Sequence, residues 1–225
     1  MKRLMAIAAL ALAPVGCVAN QGDAAVRFLD SRALTFEEGT GCIPSDDFVI
    51  GTGSLDLSGS DNYLLAMSVE TNNSIQSITI NQEEFAGPGL SDITLTEFIY
   101  SYQFEPIAGS ASVTLPADDE DRVAVYRVLR PGTNADESYV FMNAFGPKAS
   151  AALKSAISVG SSGTVFSTIK ARGRLSGGQI VESNKFTFPV TVRATGFAYC
   201  PAGEIPSGTC GRPGQDVAGC FNPDA

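Results

Sequence analysis

The chain has no histidine and no tryptophan, and only 17% of its 225 residues are charged. Without histidine, neither a Ser-His-Asp nor a Cys-His nucleophilic site can be assembled, and the usual His-bearing zinc and iron sites are excluded. The GxSxG elbow, the P-loop and the GxGxxG fingerprint are missing as well. Most common enzyme chemistry is thereby removed, so no catalytic residue, cofactor or metal is expected. Long apolar runs are also absent. The only candidate, Leu4 to Val15, is followed by polar Asn20, Gln21 and Asp23, whereas a spanning helix needs about 20 apolar residues.

Lys2 and Arg3, that short apolar core and the small residues after it describe an export signal that is removed. Within it, Val15-Gly16-Cys17, with Leu12 upstream, resembles the end of a bacterial lipoprotein signal. The match is not complete, because Pro14 stands where that family prefers Leu. The resemblance implies that the Cys17 sulfur receives a diacylglycerol and that cleavage leaves Cys17 as the new N-terminus. Two or three acyl chains would make attachment stable, each buried methylene contributing ~0.8 kcal/mol. Val18 stands where the inner-membrane retention signal of that family has Asp, which points to the outer membrane. The alternatives are a secretory signal cut near Ala19, with Cys17 discarded, and a one-pass anchor.

Beyond Gly16 the chain carries thirteen Lys and Arg against twenty-four Asp and Glu, a net charge of −11. Nucleic-acid phosphates repel such a surface, so no nucleic-acid partner is expected. Adhesion to anionic lipid through the protein surface is disfavoured too, leaving the lipid on Cys17 as the membrane attachment.

With Cys17 assigned to the lipid, four cysteines remain: Cys42, Cys200, Cys210 and Cys220. In an oxidising compartment they read as two disulfides with three possible connectivities, Cys42 being tied to the tail. Zinc is the competing reading. The spacings of nine intervening residues in the tail are unlike the short CxxC knuckles of zinc sites.

The body alternates in the β manner. FVIGTGSLDL, NYLLAMSVETN, SIQSITINQEEF, DITLTEFIYSYQFEP, ASVTLPA and RVAVYRVL each read as strand, bounded by Gly, Ser, Asn or Asp. In the fourth, Phe98, Tyr100, Tyr102 and Phe104 share one face, which assigns them to a core rather than to a ligand site. One helix is expected from Pro147 through KASAALKSAI, with Ala149, Ala152, Leu153, Ala156 and Ile157 on its apolar side. Two alternating arms around Ser176-Gly177-Gly178 read as a hairpin. Pro189 makes its second arm an edge strand, or one with its open side there, and hence the default place for a partner strand to add.

Seven to nine short strands at this spacing predict an all-β fold, an antiparallel immunoglobulin- or fibronectin-like β-sandwich with one short helix and a Cys-rich loop tail. YLLAMSVETN followed by SITINQEEF is also similar to a strand pair of the plant desiccation-protein sandwich, which would imply a carrier of an apolar ligand lined by residues such as Phe98, Tyr100 and Phe104. The hairpin, the FPV strand and the Cys tail containing GQD resemble Gram-negative envelope lipoproteins without an assigned activity. That likeness implies a place and no chemistry. The expected organisation is a signal at 1–16, a lipidated N-terminus and tether at 17–46, the sandwich at 47–195 and the disulfide tail at 196–225. Whether residues 24–41 form a strand or a tether stays open.

Two further patterns carry weak chemistry. Ser167-Thr168-Ile169-Lys170 has the SxxK spacing, which places Ser and Lys together on a helix and apart on a strand. Asp118, Asp119, Glu120 and Asp121 offer carboxylates for calcium but lack the D-x-D-x-D-G order, and Asp46 with Asp47 offers only two. The functional expectation is a lipid-anchored, non-catalytic binding or structural module of the cell envelope, with an envelope protein as its partner.

Overall fold

The computed structural model describes residues 24–74, 77–86, 91–107, 110, 112–196, 201–202, 204–206, 210–216 and 220–221. The expected signal at 1–16, Cys17 and Cys200 lie outside the described residues. In chain order the strands are β1 Val26–Glu37, β2 Gly41–Ile50, β3 Gly53–Asp56, β4 Leu64–Thr71, β5 Ser77–Ile80, β6 Glu83–Ala86, β7 Ile93–Pro106, β8 Asp121–Leu129 and β9 Tyr139–Asn143. Helix α1, Pro147–Ala156, precedes β10 Ser162–Leu175, β11 Ile180–Glu182, β12 Phe186–Arg193, β13 Ile205–Pro206 and β14 Cys220–Phe221.

Two sheets share one core. The smaller has the order β2-β1-β4-β9; the larger runs β3-β12-β10-β7-β8, with β11 continuing the β12 side of β10. All pairings within them are antiparallel except β3 with β12. Strands β5–β6 and β13–β14 form separate two-stranded pieces.

Period-two patterning explains the larger sheet. Along β10, Val165, Ser167, Ile169 and Ala171 are buried while their neighbours are half-exposed. In β7 the buried set changes phase, from Ile93 and Leu95 to Phe98 and Tyr100. A bulge between Leu95 and Glu97 supplies the extra residue, and its Thr96 hydroxyl donates to the Arg172 carbonyl. Both halves of β7 thereby keep their apolar side chains on the core. Opposite this level stands Gly173, where a Cβ would lie 2.7 Å from the Thr94 carbonyl oxygen. The sheets meet through Phe28, Leu65, Met67 and Val69 on one side and Ile169, Phe188, Val190 and Val192 on the other.

The hairpin closes at residues 175–179 with Gly178 at φ +87. Helix α1 packs its Ala149, Leu153 and following Ile157 against the core, although Ala156 is exposed.

Several expectations need correction. Residues 26–37 are not a tether: β1 buries Val26 and Phe28, so the sandwich begins well before residue 47, which lies inside β2. ASVTLPA joins no ladder among its described residues, yet Val113 and Leu115 still reach the core. Strand β12 is not an edge, because β3 pairs with it from Val190 to Arg193. Pro189, which lacks an N–H, sits one residue before that pairing starts, so its open side falls there. Strand β9, Tyr139–Asn143, is not among the segments whose alternation predicts a strand.

The tail is part of the sandwich. Cys42 of β2 is bonded to Cys210, Cα to Cα 5.4 Å, across 168 residues. Past it, Gln215 accepts the Leu64 N–H at 2.9 Å and returns a bond to the Leu64 carbonyl at 3.0 Å. Asp216 exchanges backbone and side-chain bonds with Ser54, both at 2.9 Å, and accepts the Tyr63 hydroxyl at 2.5 Å. Residues 215–216 thus clip β4 of one sheet to β3 of the other. Gly214, at φ +81, makes the approach feasible, since a Cβ there would stand 2.7 Å from the Asp56 carbonyl oxygen.

Replacing Cys42 by Ser is expected to lower unfolding free energy by about 2–4 kcal/mol, the usual range for a disulfide closing a long loop. Urea denaturation of the variant beside the oxidised parent measures it.

Candidate functional site

The described positions that the sequence singles out for chemistry each have a local role in the fold. Cys42 and Cys210 form the long link expected to the tail. Cys220 is disulfide-bonded as well. Ser167 and Lys170 stand on opposite faces of β10: the buried serine hydroxyl donates to the Ala144 carbonyl, while Lys170 faces out toward Asp119 at 3.4 Å and Glu182 at 3.5 Å. The SxxK spacing therefore brings no nucleophile and base together.

The acidic run divides in two. Asp118 and Glu120 are exposed and Asp119 pairs with Lys170. Asp121 is fully buried. Its carboxylate accepts the N–H groups of Lys148 at 3.2 Å and Ala149 at 2.9 Å, at the N-terminus of α1. The helix has Pro147 in its first turn, no acidic residue there and a capping Gly146 without a side chain. Asp121 supplies from β8 the anion that free N–H groups and the helix dipole favour. The Tyr102 hydroxyl completes the arrangement, accepting the Gly146 N–H at 2.8 Å and donating to Asp121 at 3.1 Å. A Cβ on residue 146 would stand 2.4 Å from the Asp121 carboxyl carbon, so glycine is required.

The aromatic stripe lies in the core. Tyr100 and Phe98 are buried, Tyr100 stacks on Tyr102 at 6.0 Å between ring centroids, and Phe104 packs against the same cluster. Burial raises the pKa of Tyr63, Tyr100 and Tyr102, and a nearby aspartate adds to the effect in each case. These hydroxyls act as donors: Tyr100 to the Asn143 carbonyl at 3.0 Å, Tyr63 to Asp216.

On the outward face of the smaller sheet, Arg32 donates to Asp30 at 2.8 Å and to the Asp46 carbonyl at 2.6 Å. Ser68 donates to Asp30 at 2.6 Å, and Tyr139 to the Asp46 carboxylate at 3.0 Å. Asp46 is thus engaged in a network across the four strands of this sheet. The hydrogen bond to Asp30 raises the Arg32 pKa, and burial raises that of Tyr139. Among the described residues no group of three or more Cys, Asp or Glu could hold a metal ion.

Among the described residues lie open clefts lined mainly by polar groups, of which two are described. One, of about 420 Å³, lies where β1 begins and is lined by Asn72, Asn73, Ser74, Ser91, Leu175, Gly177 and Gln179. Asn73 donates to the Ser91 carbonyl while its own amide oxygen is buried without a partner. The other, of about 470 Å³, runs over the outward face of the larger sheet, with Ser101, Gln103, Phe166, Thr168 and Thr187 on its floor and Asp118 and Lys185 at its rim. Such linings offer hydrogen bonds to a polar ligand. The residues of the first cleft are turn residues in the sequence, and their meeting depends on pairing between distant strands.

A scan against protein-family models finds no match, and no curated protein or solved structure is found to be similar to the chain.

Replacing Asp121 by Asn removes a charged acceptor from two helix N–H groups and is expected to cost roughly 2–3 kcal/mol, read from the urea midpoint. A second expectation concerns acid. Burial works to raise the pKa of Asp56, but hydrogen bonds from Thr195 and Ser58 outweigh it and hold the carboxyl below its ordinary value. Glu182 is likewise lowered, first by its hydrogen bond from Arg172. A depressed folded-state pKa gives stability that is full above the unfolded value of about 4 and is lost as pH falls through the folded one. Urea midpoints should therefore drop on acidification below about pH 4, and the drop should shrink in Asp56→Asn.

Proposed function

We propose that the protein is exported, carries a lipid on Cys17, and serves as a non-catalytic binding or structural module of the cell envelope, held at the outer membrane. Its body is a β-sandwich of immunoglobulin- or fibronectin-like type, a reading supported by the chain passing between sheets at each of β2 to β3, β3 to β4, β8 to β9 and β9 to β10.

The observation that carries the proposal is the Cys42–Cys210 link. A bond joining residues this far apart in sequence is made and kept in an oxidising compartment, which agrees with the export signal read at residues 1–16. With Cys220 also bonded, one cysteine of the five is left over, and Cys17, at the lipoprotein-like cleavage position, is the one this reading assigns to the lipid. The net charge of −11 beyond Gly16 argues against nucleic acid and for partners within the envelope.

Mass analysis of the protein produced from its full sequence in a Gram-negative host, without reductant, tests this reading. An N-terminal acylated Cys17 with four hydrogens fewer on the other cysteines is the expected result. A chain starting after Cys17, or a Cys17 without acyl groups, overturns the anchor.

A further inference from the structure

The anchor and the fold together constrain which end of the sandwich meets the membrane. Eight residues, Val18 to Ala25, separate Cys17 from the first described strand. Fully extended they span at most ~29 Å. Strand β1 then runs the length of the sheet, ~40 Å for its twelve residues, to the β1–β2 turn at residues 37–41.

The near end is fixed by direct bonds. The Ala25 carbonyl accepts the Asn72 N–H at 3.0 Å, Val26 pairs with Thr71, and the Thr71 hydroxyl donates to the Arg130 carbonyl at 2.8 Å. On the larger sheet this end carries the end of β8 and the β10–β11 turn, with Arg174 in one row with Thr94 and Val128.

The chemistry there differs from the rest of the molecule. Arg127, Arg130 and Arg174 are exposed, and among the described residues none has a carboxylate partner. Interleaved with them are Tyr126, 81% exposed, Val128 and Ile180. The acids of this end belong mostly to the smaller-sheet side, where Glu70 pairs with Arg27 and Asp136 and Glu137 lead into β9. Arginine beside an exposed tyrosine and aliphatic side chains suits the headgroup layer, where guanidinium meets phosphate and the ring sits at the boundary.

We propose that this corner of the larger sheet, Tyr126 to Arg130 with Arg174 and Ile180, rests on a phospholipid headgroup surface. The inference builds on the lipid at Cys17, which brings the corner within reach. The overall charge does not oppose it: screening confines electrostatics to about 8–10 Å, so the acidic remainder of the molecule, held further out, contributes little. The corner faces the lipid and the β1–β2 turn faces away.

The test uses the acylated full protein in vesicles of phosphatidylethanolamine and phosphatidylglycerol with a quencher on the headgroup. A fluorescent amino acid is placed at Gly177, beside the corner, or at Thr40, at the far turn. Strong quenching at 177 and little at 40 is expected, with the difference lost in R127E/R130E/R174E and kept in R127K/R130K/R174K. Unchanged thermal melting verifies that the variants fold. Equal quenching at the two positions, or full quenching in the glutamate variant, overturns the proposal. The acylation state of Cys17 is read separately by mass. Should Cys17 carry no lipid, flotation of the unacylated chain with the same vesicles decides: salt-sensitive binding that weakens at least about fivefold per arginine reversed upholds the corner, and absence of binding overturns it.

Discussion

Strand β10 is the element on which the rest is built. It pairs with β7 from Gly163 to Leu175 and on its other side with β12 and β11, so every other strand of the larger sheet is placed through it. Its buried row, Val165 to Ala171, forms the middle of the core. One member of that row is polar, and the Ser167 hydroxyl reaches the Ala144 carbonyl between β9 and α1. Burying that hydroxyl without an acceptor would cost on the order of 1–3 kcal/mol. The bond therefore ties the position of the helix to the middle of the sheet. From the other side Asp121 and Tyr102 hold the same helix by its N-terminal N–H groups. The end of the molecule away from the N-terminus is thus closed by buried polar contacts as well as by apolar packing.

The two ends consequently differ. The closed one has the helix, the clip formed by Gln215 and Asp216, and the disulfide to Cys210. The open one has a polar cleft, an unsatisfied Asn73 oxygen and exposed arginines. A lipid anchor at Cys17 would set the open end toward the membrane and the closed end toward the envelope space. Function in this account follows from placement: a stable body of defined orientation, with a hydroxyl-rich groove on its larger sheet turned sideways.

Where signals were local, the sequence displayed the fold clearly. The alternation of Phe98, Tyr100, Tyr102 and Phe104 and the hairpin around Ser176-Gly177-Gly178 are properties of neighbours along the chain, and both hold. Features set by distant partners were not visible. Asp121 reads as one of four acids in a loop, and only the packing of α1 against β8 turns it into a helix anchor. Pro189 excludes a hydrogen bond at one residue, but the short β3 takes up the strand from the next residue onward. The GQD of the tail carries no periodicity, since its bonds run to Ser54, Tyr63 and Leu64 more than 150 positions away. For the proposed site, the anchor is an expectation read from the first seventeen residues, whereas the arginine corner exists only once β8 and β10 are placed through β7.

The most direct test of the central claim, a sandwich anchored at Cys17 and standing on its N-terminal end, is hydrogen–deuterium exchange of the acylated protein in phospholipid vesicles against the same protein in neutral detergent. The account predicts slower exchange in vesicles at residues 126–133 and 174–180, with residues 37–41 and α1 unchanged. Slowing at the β1–β2 turn or the helix, or no difference anywhere, would contradict it.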